Sequence, residues 1–253
     1  MRHIVKVCGM REPDNIRAVV ALGIDLMGFI FWPKSSRYVE RMDSTPGSSA
    51  AEIARLIPTI PCKRVGVFVD EDIETVRRIA ADYALDYIQL HGSESPDYLR
   101  ALREACSVYG CATAAPLLIK AFNIATAEDL EQTAPYAGLA DLFLFDTRTP
   151  SKAMGGSHLP GGTGQKFDWS VLSDYNGDTD FLLSGGIGPD DAEALTSLLI
   201  PADAPTRSLS PLSTLHSPLS STHFLGIDLN SRFEIAPGLK DVDKLREFLK
   251  KIR

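Results

Sequence analysis

The sequence predicts an α/β protein whose eight parallel strands close into a single (β/α)8 barrel, or TIM barrel. Short apolar or β-branched runs alternate with longer segments whose apolar residues recur at helical spacing. Eight such runs occur in 253 residues, and about 250 residues is the usual length of this barrel. A doubly wound open sheet is the alternative, and it fits the pattern less well. We therefore expect one barrel domain over residues 1–253.

The predicted strands are short and apolar, and most of the predicted helices open with a proline or a capping side chain. The strands are Ile4 to Cys8, Leu26 to Phe31, Arg64 to Val69, Tyr87 to Leu90, Leu117 to Ala121, Leu142 to Phe145, Phe181 to Ser184 and Phe224 to Asp228. The helices are Ile16 to Leu22, Ile73 to Ala81, Tyr98 to Ala105, Ala127 to Thr133, Ala192 to Leu199 and Asp241 to Ile252.

Two segments interrupt the alternation. Thr149 to Gly164 is rich in Gly, Ser and Pro and follows the sixth strand, where a barrel carries active-site loops. Residues 201–222 form a Ser/Pro-rich stretch before the eighth strand. This composition cannot bury much surface, so we expect a flexible insertion within the domain. A regulatory or partner-binding role is the alternative.

Composition narrows the functional class. The chain is 44% hydrophobic and 23% charged, as in an ordinary globular protein. Its net charge of -7 disfavours nucleic-acid and membrane partners. It has no apolar run of about 20 residues and no signal-peptide pattern, so we expect a cytoplasmic protein. The four cysteines, Cys8, Cys62, Cys106 and Cys111, lack metal-ligand spacing and are expected to be free thiols.

Strand alternation brings two reactive side chains to one rim of the barrel. Lys6 and Cys8 share the inward face of the first strand, whereas Val5 and Val7 face the helices. Asp146 follows the sixth strand on its inward face. Catalytic residues of this fold collect at that rim. The alternatives are that the cysteine is a small buried apolar residue and that the aspartate is a cap or loop anchor.

Anion-binding features follow other strands. Gly185 and Gly186 lie between the seventh strand and a helix, and "GIDLNSRFE" provides a similar turn after the eighth. These barrels often bind phosphate at those two loops, although tight turns alone also explain the glycines. In "FWPKSSRYV", Lys34 and Arg37 rise from the rim. Arginine suits a carboxylate, and the alternative is a solvated loop charge.

The motifs together identify a family. They are "KVCGMRE", "GFIFWPKSSRYV", "VGVFVDE", "IQLHG", "FDT", "GGTGQKFDWS", "LSGGI" and "DLNSRFEIAPGLKD". In this order they resemble phosphoribosylanthranilate isomerase of tryptophan biosynthesis. The resemblance runs from the first strand to the last helix and excludes the two interrupting segments.

The resemblance implies a reaction and its residues. The reaction is the Amadori rearrangement of N-(5-phosphoribosyl)anthranilate to 1-(2-carboxyphenylamino)-1-deoxyribulose 5-phosphate, without cofactor or metal. Asp146 is implied to be the general acid at the furanose oxygen, and Cys8 the general base at C2. Arg37 is implied to hold the anthranilate carboxylate. The turns at Gly185-Gly186 and Asn230-Ser231 are implied to hold the phosphate.

Several residues keep two interpretations. Lys6 either lowers the pKa of Cys8 or only pairs with Asp228, which points inward from the adjacent strand. Gln89 and His91 share a strand face, so they are predicted to bind substrate. His91 fits equally well as a residue that supports the substrate-binding side chains without touching the substrate. Arg232 replaces a small residue of the family and either adds a phosphate contact or points to solvent. Extra residues at 157–161 leave open which glycine pair covers the substrate.

Two other functions are alternatives to this reaction. A related isomerase of histidine biosynthesis performs the same chemistry, but such enzymes resemble an aspartate pair and show a two-fold internal repeat that this sequence lacks. A barrel that binds phosphosugars without catalysis is the second rival. The predicted partner is a small phosphosugar substrate, and the expected state is a monomer or a homodimer.

Overall fold

The protein is an eight-stranded closed parallel barrel, as predicted. The computed structural model describes residues 3–40, 49–108, 115–147, 169–199 and 223–253. Each strand pairs with the next, and the last pairs with the first, so the sheet is closed and not doubly wound. The strands are β1 Ile4–Val7, β2 Leu26–Ile30, β3 Lys63–Phe68, β4 Tyr87–Leu90, β5 Leu117–Ile124, β6 Leu142–Thr147, β7 Phe181–Leu183 and β8 Phe224–Leu229.

Helices connect the strands, and a short hairpin follows the eighth. The α-helices are α1 Pro13–Val20, α2 Ser49–Leu56, α3 Ile73–Asp82, α4 Pro96–Val108, α5 Ala192–Leu199 and α6 Val242–Ile252. The 3₁₀ helices are Ile57–Thr59, Ala127–Tyr136, Trp169–Asp174, Pro189–Asp191 and Ser231–Phe233. The antiparallel hairpin consists of β9 Glu234–Ala236 and β10 Leu239–Lys240. None of the helices in the described ranges is long and apolar enough to cross a bilayer.

Some elements differ from their predicted form. β5 continues to Ile124 because Asn123 and Ile124 pair with the end of β6. The helix predicted at Ala127 is a 3₁₀ helix that contains Pro135, and proline cannot donate the backbone hydrogen bond that an α-helix needs there. Helix α2 is additional to the predicted helices. The segments 149–164 and 201–222, and Cys111, lie outside the described residues.

The side-chain alternation follows the prediction. Val5 and Val7 pack into the layer between strands and helices. Leu142 and Leu144 lie in the second apolar cluster, inside the barrel. Lys6, on the inward face of β1, has no exposed surface. Each barrel strand therefore delivers alternate residues to the interior, and the last inward position reaches the rim.

A charged cluster joins β3 to β4 at the end of the barrel opposite that rim. Asp86 accepts hydrogen bonds from Lys63 Nζ at 2.9 Å, from Arg64 Nε at 2.7 Å and from the Arg64 backbone N–H at 2.9 Å. Burial alone would raise the pKa of Asp86, but these donors lower it to about 2. A charged cluster at this end of a barrel contributes to stability, because the chemistry of this fold takes place at the opposite rim.

Asp86→Ala is expected to lower the free energy of unfolding at pH 7 by about 1 kcal/mol, since solvent screening reduces the full linkage value. The folded-state pKa lies below the unfolded value of about 3.9. The stabilisation is therefore complete above pH 4 and lost as the pH falls through 2. Urea unfolding at pH 7 and pH 2.5 measures the difference. The exposed pair Asp97–Arg100 supplies the control, Asp97→Ala, and a loss at Asp86 that persists in acid would contradict the charge argument.

Candidate active site

A pocket opens where the carboxyl ends of the strands meet. With its open mouth included, it encloses about 770 Å³. Every residue predicted for the site lines it. They are Cys8, Arg37, Gln89, His91, Asp146, Gly185, Gly186, Asp228, Asn230 and Ser231. The structure thus brings together side chains from six strands or the loops that follow them, whereas Lys34 is exposed and does not line the pocket.

Cys8 lies directly after β1, and its backbone N–H donates to Leu229 O at 2.9 Å. The residue is buried. Its sulfur packs against Gly28 of β2, where a β-carbon would lie 2.6 Å from Cys8 Sγ. Any side chain at residue 28 would therefore displace the thiol. The sequence signal for this requirement was the glycine inside the apolar run "LMGFI", which sequence reasoning did not use.

Two buried lysines act on the thiol. Burial raises the pKa of Cys8 above its usual value, and Lys6 and Lys240 oppose that rise without overcoming it. Lys6 Nζ also donates to Asp228 Oδ2 at 2.9 Å, across the register pair that joins β1 to β8. Both interpretations of Lys6 therefore hold in part. It pairs with Asp228 and also lowers the pKa of Cys8, which nonetheless stays predominantly a thiol at neutral pH.

A histidine stands beside the predicted acid. Asp146 lies near the end of β6 and is buried. His91 Nε2 is 3.4 Å from Asp146 Oδ2, and Gln89 Nε2 donates to His91 Nδ1 at 2.9 Å. An imidazole that accepts at Nδ1 carries its proton on Nε2 when neutral. His91 Nε2 therefore lies close to the carboxylate, a proximity that sequence reasoning missed, but it is buried and makes no hydrogen bond to the described residues.

Buried oxygens face the same space. Within the described part of the chain, Asp228 Oδ1 and Gln89 Oε1 are buried and have no hydrogen-bond partner. Both residues line the pocket. Buried polar atoms normally have a partner, so these two acceptors are available to a ligand that carries hydroxyl groups.

The turns after β7 and β8 form one side of the pocket. Gly185 and Gly186 have φ angles of 91° and 70°, a left-handed conformation that glycine adopts without strain. Ser231 begins the 3₁₀ helix after β8. The Asn230 side chain accepts a hydrogen bond from Lys240 Nζ at 2.8 Å. Arg232 lines the pocket next to Gly188, where a β-carbon would lie 3.0 Å from Arg232 Nε.

Other pocket residues were not predicted. Ser184 lies at the end of β7, and its hydroxyl is 3.5 Å from Asp228 Oδ2. Trp32 and Ser35 belong to the quoted "FWPKSSRYV" motif, so their position in the loop was a usable signal. Arg37 is bound by Glu234, with Nη2 at 2.6 Å from Oε2. That pair could not be predicted from the sequence, because the partners are 197 residues apart.

Comparison with known proteins identifies the family of the whole chain. The family model described as N-(5'-phosphoribosyl)anthranilate (PRA) isomerase matches residues 5–251. An N-(5'-phosphoribosyl)anthranilate isomerase of Parabacteroides distasonis is 45% identical over 98% of this chain and 93% of its own length. That of Phocaeicola vulgatus is 39% identical over 99% of this chain and 98% of its own length.

Solved structures give the same result. Phosphoribosyl anthranilate isomerase from Thermotoga maritima aligns with a TM-score of 0.72 at 28% identity, over 99% of this chain and 98% of that chain. A structure of the isomerase in complex with reduced 1-(o-carboxyphenylamino)-1-deoxyribulose 5-phosphate aligns with a TM-score of 0.67 at 25% identity, with the same coverage. This chain belongs to the N-(5'-phosphoribosyl)anthranilate isomerase family.

Proposed function

We propose that this chain converts N-(5-phosphoribosyl)anthranilate into 1-(2-carboxyphenylamino)-1-deoxyribulose 5-phosphate, the third step of tryptophan synthesis from chorismate. The observation that carries the proposal is one pocket lined by Cys8, Asp146 and Arg37 together with the turns after β7 and β8. A proton acceptor, a proton donor, a carboxylate-binding cation and a phosphate-binding rim are the groups that this reaction needs. Family membership supports the same reaction.

The reaction begins with two proton transfers by the enzyme and ends with a tautomerisation. Asp146 gives its proton to the furanose oxygen, the bond from that oxygen to C1 breaks, and the nitrogen lone pair forms the C1=N iminium. The thiolate form of Cys8 then removes the C2 proton, and the electrons of that C–H bond neutralise the iminium to give an enolamine. The enolamine becomes the ketone when C1 takes up a proton and the C2 hydroxyl releases one, so that Cys8 and Asp146 return to their starting forms. His91 Nε2, 3.4 Å from Asp146 Oδ2, stabilises the aspartate carboxylate after it has lost its proton.

The remaining residues hold the substrate. Arg37 binds the anthranilate carboxylate, and Gly185-Gly186 and Asn230-Ser231 bind the phosphate. The unpartnered oxygens of Gln89 and Asp228 accept hydrogen bonds from ribulose hydroxyl groups. His91 lines the pocket, so it contacts the substrate in addition to lying beside Asp146.

We infer that the chain forms one domain with 201–222 as an insertion, and that it acts as a monomer or a homodimer. All residues proposed for the site come from one chain, which suits either state. A catalytic thiol must stay reduced, which favours the cytoplasm. The net charge of -7 is unsuited to nucleic acid.

The direct test is the fluorescence decay of phosphoribosylanthranilate, freshly generated from anthranilate, after addition of the purified protein. Decay that matches product formed supports the proposal. Ligand binding without decay would favour the non-catalytic alternative. Turnover of the corresponding aminoaldose of histidine synthesis, but not of this substrate, would favour the related isomerase.

Arg232→Ala is expected to raise KM and to weaken inhibition by inorganic phosphate about 10-fold, with little change in kcat. A hydrogen bond to a charged group has about this value, and the side chain reaches the pocket beside the β7 turn. Steady-state kinetics at two salt concentrations measure the effect, since the arginine contribution is screened by salt. Exposed Arg78→Ala is the control. Unchanged inhibition by phosphate would mean that the Arg232 side chain points to solvent and makes no contact with phosphate.

A further inference from the structure

The guanidinium of Arg37 is held along one edge before any ligand binds. Its Nε lies 2.8 Å from Glu234 Oε1 and 3.1 Å from Oε2, and its Nη2 lies 2.6 Å from Oε2. The two side chains are 16% and 5% exposed. Glu234 is the first residue of β9, just after the turn that follows β8. Two parallel hydrogen bonds of this kind fix both the position and the plane of the guanidinium.

Glu234 is itself anchored from the other side. Its Oε1 accepts from Lys240 Nζ at 2.7 Å and from the Gly238 N–H at 3.1 Å. Lys240 is fully buried, and Asn15 holds its backbone N–H and C=O at 2.7 and 2.9 Å. Burial alone would raise the pKa of Glu234, but Arg37 and Lys240 hold it below its usual value. The carboxylate therefore stays charged at neutral pH and keeps its hydrogen bonds to Arg37.

The stem of Arg37 is confined as well. A β-carbon at Gly9 would lie 2.6 Å from Arg37 Cδ, so the arginine runs directly over the turn that follows Cys8. Arg37 Nη1 has no hydrogen-bond partner among the described residues, and the residue lines the pocket. The edge formed by Nη1 and the second N–H of Nη2 is therefore the one available to a ligand.

We propose that Glu234 is a positioning residue that turns this Nη1/Nη2 edge of Arg37 towards the carboxylate of the substrate, with Lys240 as its support. The proposal rests on the function proposed above. It also defines a ligand preference. A planar aromatic carboxylate meets a prearranged pair of N–H donors, whereas a substrate without that carboxylate gains nothing from Glu234. The cost of arranging a long side chain is met on folding and not on binding.

The test compares two probes in wild type and Glu234→Gln. One probe is reduced 1-(o-carboxyphenylamino)-1-deoxyribulose 5-phosphate, and the other is the same compound without the carboxylate. We expect Glu234→Gln to weaken the first probe about 10-fold or more, and to raise KM in proportion. Affinity for the second probe should change less than about 2-fold. Glu234→Asp, which keeps the charge, should lie between wild type and Glu234→Gln.

Controls separate positioning from general damage. Glu247→Gln removes an exposed carboxylate that pairs with Lys250 and should leave both affinities unchanged. In an Arg37→Ala background, Glu234→Gln should have no further effect on the first probe, because its action passes through the arginine. Equal loss for both probes, or additive losses in the double variant, would overturn the proposal. A wild type that binds both probes but lacks isomerase activity would instead contradict the proposed function.

Discussion

Cys8→Ser is expected to reduce kcat about 10³-fold or more while the affinity for reduced product changes little. General base catalysis contributes about 10²- to 10⁴-fold, and a serine hydroxyl, unlike a thiol, forms almost none of its conjugate base near neutral pH. The substitution replaces sulfur by the smaller oxygen, which fits the close contact with Gly28. Ligand contacts from Arg37 and the phosphate turns are untouched. The loss should therefore appear in kcat and not in binding.

The measurement is single-turnover decay of substrate fluorescence, together with titration of the reduced product analogue. Cys106→Ser supplies the matched control, because Cys106 is an equally buried thiol in the outer apolar layer. That variant should keep the wild-type rate. Near-normal turnover by Cys8→Ser would remove the thiol from the mechanism.

The Cys8 thiol should also lose its proton at a higher pH than an ordinary cysteine. Burial raises the pKa of Cys8, and the nearby Lys6 and Lys240 only reduce that rise. Its alkylation by iodoacetamide should therefore keep accelerating above about pH 8.5, which is the ordinary pKa of cysteine in model peptides. Peptide mapping distinguishes it from Cys62, whose pKa burial raises to about 11. The kcat/KM profile reports the acid and base as a pair, so direct titration of the thiol is the sharper experiment.

The sequence predicted those parts of the molecule that depend on a single strand at a time. Alternation within β1 and β6 was enough to send Lys6, Cys8 and Asp146 inward, and parallel strands bring their carboxyl ends to one rim. The side chains on that rim therefore lie close together regardless of how the rest of the core packs. Motif resemblance added the residues of the loops, among them Arg37.

Contacts that depend on register or on loop path were not predictable in this way. Gly28 meets the sulfur of Cys8 only because β1 and β2 align at that height. His91 approaches Asp146 although β5 separates their strands. Glu234 and Lys240 look like ordinary charges of a surface hairpin in sequence, yet both are buried against the site. Each of these features is set by neighbours that are distant in the chain.

Asp146→Asn is the second change with a large expected effect. An amide is not a useful acid, so opening of the furanose ring loses its proton donor, and we expect kcat to fall about 10³-fold. The near-isosteric side chain keeps the contacts around β6, so affinity for the reduced product should change little. Fluorescence decay under single-turnover conditions measures the rate. Asp174→Asn, an exposed aspartate away from the pocket, should behave as wild type.

The neighbouring histidine offers a way to identify the donor. If Asp146 supplies the proton, His91→Ala removes only the N–H group that stabilises the resulting carboxylate, and the rate should fall about 10-fold. If His91 were the donor, its loss would be as severe as that of Asp146, and the Asp146→Asn enzyme would retain substantial activity. Nε2 and Oδ2 lie 3.4 Å apart in the same pocket, and the ratio of the two rate losses decides between the two groups. A larger loss at Asp146 assigns the acid to the carboxyl group.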